Sequence, residues 1–220
     1  MKNRFLEKVC MDDKNAVKLW TLQHEDAYRV FKETGVLRAN NNYLFCDVGF
    51  TYAYDWIAEE MRKRIGEPPV EDIKYPIWAW YQWEGKRKRQ DLRCSGYAKR
   101  GTPMVQLEIE VPINEILLSD FDAWIFVMNY WYIHDNDDDY NAFIKRHEVA
   151  NNLCRGMAYN LNDSRLYDMQ REIRESWPKV FDLENAHKIT EFPKEEQSIQ
   201  ATMWQVTMDQ VRKVEHFTAK

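Results

Sequence analysis

Four groups of residues in this chain have the types and spacing that chemistry requires. Glu108 and Glu110 sit two apart in MVQLEIEVP (104–112), so an extended backbone puts both carboxylates on one strand face. There they are either an acid/base pair or a solvated sheet surface. The acidic run HDNDDDY (134–140) resembles a calcium loop but lacks the glycine and the bidentate glutamate such a loop needs, so it reads as a turn capping the next helix. The basic run GKRKRQDLR (85–93), followed by Lys99 and Arg100, is either a solvated loop or a contact for phosphates. The fourth group is YPIWAWYQW (75–83), with three tryptophans and two tyrosines in nine positions.

As a strand, that stretch places Trp78 and Trp80 on one face with Pro76 and Gln82, and Ile77, Ala79, Tyr81 and Trp83 on the other. Both faces are largely apolar, which suits a central strand covered on both sides, and Pro76 fits its first residue. The two indoles are either core or the wall of a ring-lined cleft, where an N–H finds a partner and a flat ligand finds a stacking surface. No GxGxxG, GxxxxGK[ST], HExxH or GxSxG signature is present, and His24, His134, His147, His187 and His216 are dispersed and read as surface or cap residues. Ser119 with Asp122 reads as a capping box opening a helix, and Arg93 as the partner of a carboxylate.

These groups need a scaffold, and composition limits what it is. The chain has 220 residues, 45% of them hydrophobic and 14% aromatic, enough for one α+β domain over 17–220 behind a polar leader at 1–16. A net charge of −5 argues against a protein that coats nucleic acid electrostatically. Cys10, Cys46, Cys94 and Cys154 show neither CxxC pairing nor ligand spacing, and read as reduced thiols. With no apolar run long enough for a signal peptide or a membrane span, the expected location is the cytoplasm, away from membranes.

Along the chain, VKLWTLQ (17–23) reads as a strand and HEDAYRVFKETG (24–35) as a helix with Ala27, Val30, Phe31 and Thr34 on one side, stopped by Gly35. TYAYDWIAEEMRKRIG (51–66) is a helix with an apolar stripe of Tyr54, Ile57, Met61 and Ile65, supported by Glu59–Lys63 and Glu60–Arg64 pairs. LEIEVP is a strand, helices are predicted near 119–132, 138–153 and 164–177, and the end reads as strand, turn, strand. The expected architecture is a set of split, mainly antiparallel sheets with interrupting helices.

Taken together, LWT (19–21), YDW (54–56), YPIWAW (75–80), DLR (91–93), LEIEVP (107–112), LLSDFDAW (117–124) and IQATMW (199–204) resemble an uncharacterised bacterial domain-of-unknown-function family, over nearly the whole chain from about residue 17. More distantly, the order strand, helix, glycine in LWTLQHEDAYRVFKETGVL, and the closing strand at Gln200, Ala201, Thr202, Met203 and Trp204, are similar to ADP-ribosyltransferase-like toxins of the DNA-modifying type. That resemblance implies a split-sheet fold, NAD as substrate, and a nucleic acid or protein target. It implies catalytic positions at Gln200 and Thr202, and cofactor contacts from Trp20, Thr21, Gln23, Trp78 and Trp80. The chain departs from the pattern twice: Trp20 and Thr21 stand where the group has a histidine, and Thr202 where it has the catalytic glutamate. Because a hydroxyl cannot supply the missing charge, Glu108, Glu110, Glu195 and Glu196 are candidates to replace it. The alternative is a non-enzymatic interaction or nucleotide-binding domain of a bacterial phage-defence or toxin–antitoxin system, with an antitoxin or other protein as partner.

Overall fold

The computed structural model describes residues 16–39, 48–155, 158, 162–190 and 193–220. The polar leader therefore lies outside the described residues except for Ala16, as do Cys10 and Cys46. By its internal contacts the chain falls into two compact units, one formed by the chain through Leu118 together with Ser198–Lys220, the other by Ser119–Gln197.

Alternating apolar residues make the first unit a sheet. β1 (Ala16–His24) is followed by α1 (Glu25–Thr34), β2 (Val36–Arg38), α2 (Thr51–Ile65), β3 (Ile77–Gln82), β4 (Pro103–Pro112) and β5 (Leu117–Asp120). The chain returns as β6 (Ile199–Met203), β7 (Gln205–Thr207) and β8 (Val211–Thr218). Six strands form one sheet in the order β5-β6-β3-β1-β4-β8, while β2 and β7 form a ribbon of two, and every described register is antiparallel. The α+β class and the mostly antiparallel pairing expected from the sequence are what the chain adopts.

One sheet face is the core. Leu19, Ile77, Ala79, Leu107, Ile109, Val111, Ala201 and Met203 alternate onto it and are all buried. α1 is capped at its start by His24, whose Nδ1 accepts from the Asp26 amide (3.1 Å), and at its end by Gly35 at φ 75°, a left-handed conformation that glycine adopts without a Cβ penalty. It buries Tyr28 and Phe31, whereas Val30 is 52% exposed, so the apolar face lies about one residue round from the expected Ala27/Val30/Phe31/Thr34 stripe. The aromatic ring of Tyr28 meets His216 of β8 edge-on at 5.6 Å, and that contact rotates the helix. α2 buries Trp56, Ile57 and Met61, and its Glu60 carboxylate accepts from Lys63 (2.9 Å) and Arg64 (2.9 Å).

The second unit is helical: α3 (Phe121–Met128), α4 (Asp137–Arg146), α5 (Glu148–Cys154), α6 (Tyr167–Ser176) and α7 (Ala186–Thr190). Tyr130, Ile133, Leu166, Trp177 and Leu183 are its largest fully buried side chains among the described residues. The acidic run caps α4 as expected, with Asn136 Oδ1 accepting from the Asp139 amide (2.9 Å). The helix expected over 138–153 is two helices, α4 and α5, meeting at His147.

The start of α3 differs from the expected Ser119/Asp122 box. Ser119 belongs to β5, and the cap is Asp120, whose Oδ1 accepts from the Ala123 amide (2.8 Å) while Oδ2 accepts from Gln197 Nε2 (2.8 Å). Burial pushes the Asp120 carboxyl up, against the opposing pull of these donors. A raised acid holds its proton better folded than unfolded. Its favourable contribution is therefore present below the unfolded value near 3.9 and is lost as pH rises through the raised one. Asp120→Ala is expected to lower unfolding free energy by about 0.5–2 kcal/mol, as lost caps do. Asp122→Ala is expected to stay within about 0.5 kcal/mol of wild type. Urea denaturation of the two variants checks the order.

Candidate functional site

On the sheet face opposite the core, antiparallel pairing aligns residues from five adjacent strands. Gln200 of β6 lies opposite Trp80 of β3, Trp80 opposite Trp20 of β1, Trp20 opposite Glu108 of β4, and Glu108 opposite Lys213 of β8. Directly opposed residues carry their side chains on the same face. Gln200, Trp80, Trp20 and Glu108 thus form one row, with Trp78 and Thr202 paired in the next row on the same side. Trp78 and Trp80 are half-buried, and Tyr54 of α2 meets the Trp78 ring edge-on at 6.0 Å.

The alternation in YPIWAWYQW holds as far as Trp80. Between Trp80 and Gln82 the β3/β6 register shifts, an irregularity that adds a residue and breaks the two-residue period. Trp83 lies edge-on against Trp80, with centroids 4.5 Å apart. Glu84 (φ 47°) and Gly85 (φ 72°) then form a two-residue turn with both backbones left-handed, closed by the Trp83–Lys86 bridge. That geometry matches the twist of the flanking strands, and it sends the basic run back over the rings.

The cations of the basic run stay exposed, but Arg87 is brought over the rings. The Arg87 guanidinium lies 3.7 Å from the Tyr81 ring centroid and 5.6 Å from that of Trp20, and donates to the Lys18 carbonyl (2.6 Å). Arg89 pairs with Glu215, and Gln106 Nε2 donates to Gln90 Oε1 (3.3 Å). Arg93 pairs with Asp91 through Nε (2.9 Å) and Nη2 (2.6 Å), as expected of Arg93, and this holds the Asp91 carboxyl well below the carboxylate range. Among the described residues no carboxylate pairs with Arg87.

Glu108 is the ionised group of the row. Lys18 Nζ lies 2.8 Å from Oε1, and Trp20 Nε1 donates to Oε2 (3.2 Å). The Lys18 bond, seconded by Trp20 and opposed by partial burial, holds the carboxyl below its ordinary value, so it is a carboxylate at neutral pH. Glu110 pairs with Arg212 (2.8 Å) at the next position along β4. Glu195 and Glu196 lie in an exposed turn of the second unit.

Of the residues singled out from the sequence, Trp20, Trp78, Trp80, Gln200 and Thr202 come together on this face. Thr21 and Gln23 do not. They alternate to the core side, where Thr21 Oγ1 donates to the Trp78 carbonyl (2.7 Å) and Gln23 Nε2 donates to Thr21 Oγ1 (2.7 Å). There they bridge strands that pair at one register position alone, Trp20 with Trp80. Thr202 is fully buried and donates to the Leu117 carbonyl (3.3 Å). Tyr81 and Trp83, expected on the opposite face, and Arg87, read only as part of the basic run, complete the ring cluster, and Glu84-Gly85 between an aromatic strand and a basic run is the hairpin signal that brings Arg87 there.

Gln200 has the feature that most directly points to a ligand. It is 5% exposed, and its amide nitrogen is buried with no hydrogen-bond partner among the described residues. A buried donor left unpaired costs about 1–3 kcal/mol, so native proteins retain few of them.

The fold and this face define a mostly antiparallel α+β protein with a ring-lined, amide-bearing sheet surface. The chain belongs to the family described as Domain of unknown function (DUF3841), whose model matches residues 18–212. No curated protein and no solved structure matches the chain. Among the described residues no helix is long and apolar enough to cross a membrane.

If the Gln200 amide is unfilled without ligand, Gln200→Met, which keeps the volume and removes the donor, is expected to leave melting temperature unchanged or raise it. A drop of several degrees would mean that the amide has a partner within the fold. For Glu108, the sign is that of a lowered acid. Its pairing supports the fold above the unfolded value near 4.3 and is lost as pH falls through the lower folded value. Glu108→Gln is expected to flatten the acid side of the stability-against-pH curve, measured by chemical denaturation at stepped pH.

Proposed function

We propose that this face binds NAD and that the protein is an NAD-dependent ADP-ribosyltransferase-like enzyme acting on a nucleic acid or a protein. The observation that carries the reading is the buried Gln200 amide nitrogen, without a hydrogen-bond partner among the described residues, placed beside Trp80 in a row with Trp20 and Glu108. In this reading a flat ring stacks on Trp80 or Trp78, the Gln200 amide donates to a ribose hydroxyl, and Arg87, which no carboxylate among the described residues pairs with, faces a phosphate. In the reaction the bond between the ribose C1′ and nicotinamide breaks, and nicotinamide leaves with the electron pair. The cationic ribose is then captured by a target oxygen or nitrogen that gives up its proton. Glu108 is the carboxylate of the row available to oppose that developing charge. It stands three strands from Gln200, roughly 14 Å at ordinary strand spacing, so the dinucleotide would have to lie along the row and across the strands.

A second reading rests on Thr202. With the hydroxyl engaged by the Leu117 carbonyl and no charge at that position, the same face serves as a nucleotide-sensing surface without turnover, partnered by another protein of a defence or toxin–antitoxin system. Incubation of the protein with labelled NAD and cell extract, alongside calorimetry with NAD, separates the two. Label transferred to nucleic acid or protein by wild type, and reduced at least tenfold in Gln200→Ala, Trp80→Ala and Glu108→Gln, is the expected outcome. NAD binding that Gln200→Ala and Trp80→Ala abolish, with no label anywhere, favours sensing. Absence of NAD binding overturns both.

A further inference from the structure

The second unit contains a separate ring-lined cavity of 330 Å³. That volume lies within the range of sites that enclose small ligands, at its lower end. Phe126 from α3, Trp131 and Tyr132 from the segment after it, and Tyr140 and Phe143 from α4 supply its walls. At its mouth Trp131 is 47% exposed and Tyr140 43% exposed, large aromatic surface that a folded chain usually covers. Inside, His134 is flanked by the Tyr140 ring at 5.3 Å and the Phe126 ring at 6.3 Å, and its Nδ1 is buried with no hydrogen-bond partner among the described residues.

The cavity wall is fixed before any ligand arrives. The segment 130–135 is not in a sheet, yet its backbone groups are held by side chains of the neighbouring helix and turn. The Ile133 amide donates to Ser176 Oγ (2.9 Å), the Ile133 carbonyl accepts from Lys179 Nζ (2.8 Å), and the Trp131 carbonyl accepts from Trp177 Nε1 (3.0 Å). Tyr130, buried at the base, has φ 56°, a left-handed conformation that a bulky residue adopts only where its surroundings enforce it and that gathers at ligand sites.

Charge chemistry narrows the ligand. Lys179 pairs with Asp135 (2.9 Å), Arg146 and His147 both pair with Glu172, and Asp139 accepts from Tyr132 Oη (3.1 Å). The charged groups named are thus engaged with one another, and the cavity meets its occupant with its rings, the His134 imidazole nitrogen and the side chains of Asn151 and Cys154. We infer that this cavity is a binding site for an uncharged nucleobase, stacked between the aromatic walls and hydrogen-bonded at its edge to His134 Nδ1. The imidazole is able to accept from a ring N–H or donate to a ring nitrogen according to its tautomer.

This site is independent of the sheet face, and its test keeps the two apart. Calorimetric titration of the full chain with adenosine, guanosine, cytidine and thymidine is expected to show saturable binding of at least one of them. The affinity should fall tenfold or more in Trp131→Ala and in His134→Ala, and hold within twofold in Val149→Ala, an exposed position of α5 outside the cavity lining. Because Trp131 is half exposed, its variant is expected to keep the wild-type circular dichroism and melting temperature, which makes it the reference should His134→Ala destabilise the chain. The inference is overturned if no nucleoside binds at millimolar concentration, if Trp131→Ala binds as wild type does, or if Val149→Ala abolishes the binding.

Discussion

The structure turns on the junction between β1 and β3. β1 is bonded to β4 along its whole length but meets β3 at one register position, Trp20 opposite Trp80. Beyond it the ladder is replaced by side chains, with the Thr21 hydroxyl donating to the Trp78 carbonyl and Gln23 donating to that hydroxyl in turn. Backbone groups this deep must be paired, and a threonine pairs one without requiring the strands to stay at ladder distance. The sheet therefore remains one object, its halves β5-β6-β3 and β1-β4-β8 joined at that register position and by these side chains. Thr21 and Gln23 thus act through the strand positions they set on the core side, away from the rings.

Most of the first unit was legible because its signals are local. Alternation in LEIEVP located β4 and its two faces, the same period in YPIWAW located β3, and Gly35 ended α1. What could not be read depends on partners distant in sequence. The shift after Trp80 arises from how β3 meets β6, some 120 residues later, and no property of Tyr81 itself announces it. The orientation of α1 depends on β8, and the α3 cap moved from Ser119 to Asp120 because β5 extends to that residue. Sequence grouping put Thr21 beside Trp20 as joint ligand contacts; the pleat separates adjacent residues to opposite faces, so only one of the pair belongs with the rings.

Net acidity and local cationic character are reconciled by pairing. Lys18 is matched by Glu108, Arg89 by Glu215, Arg93 by Asp91 and Arg212 by Glu110, so the sheet presents bound pairs rather than a free positive field. Such pairs contribute little to stability individually, about 0–1 kcal/mol, but they remove long-range attraction for polyanions. Arg87 differs in being stacked on Tyr81 and donating to the Lys18 carbonyl, with no carboxylate partner among the described residues. A chain with 31 basic and 36 acidic residues thus carries much of its positive charge in local pairs.

The two-residue turn at Glu84-Gly85 has an evolutionary consequence. It closes on its own bridge, Trp83 with Lys86, so the segment after it is anchored at the hinge whatever its length or composition. Lengthening a surface loop adds little entropy cost, since closure scales only logarithmically with length. The length and charge of that segment are therefore free to change without altering the register of the strands beneath it.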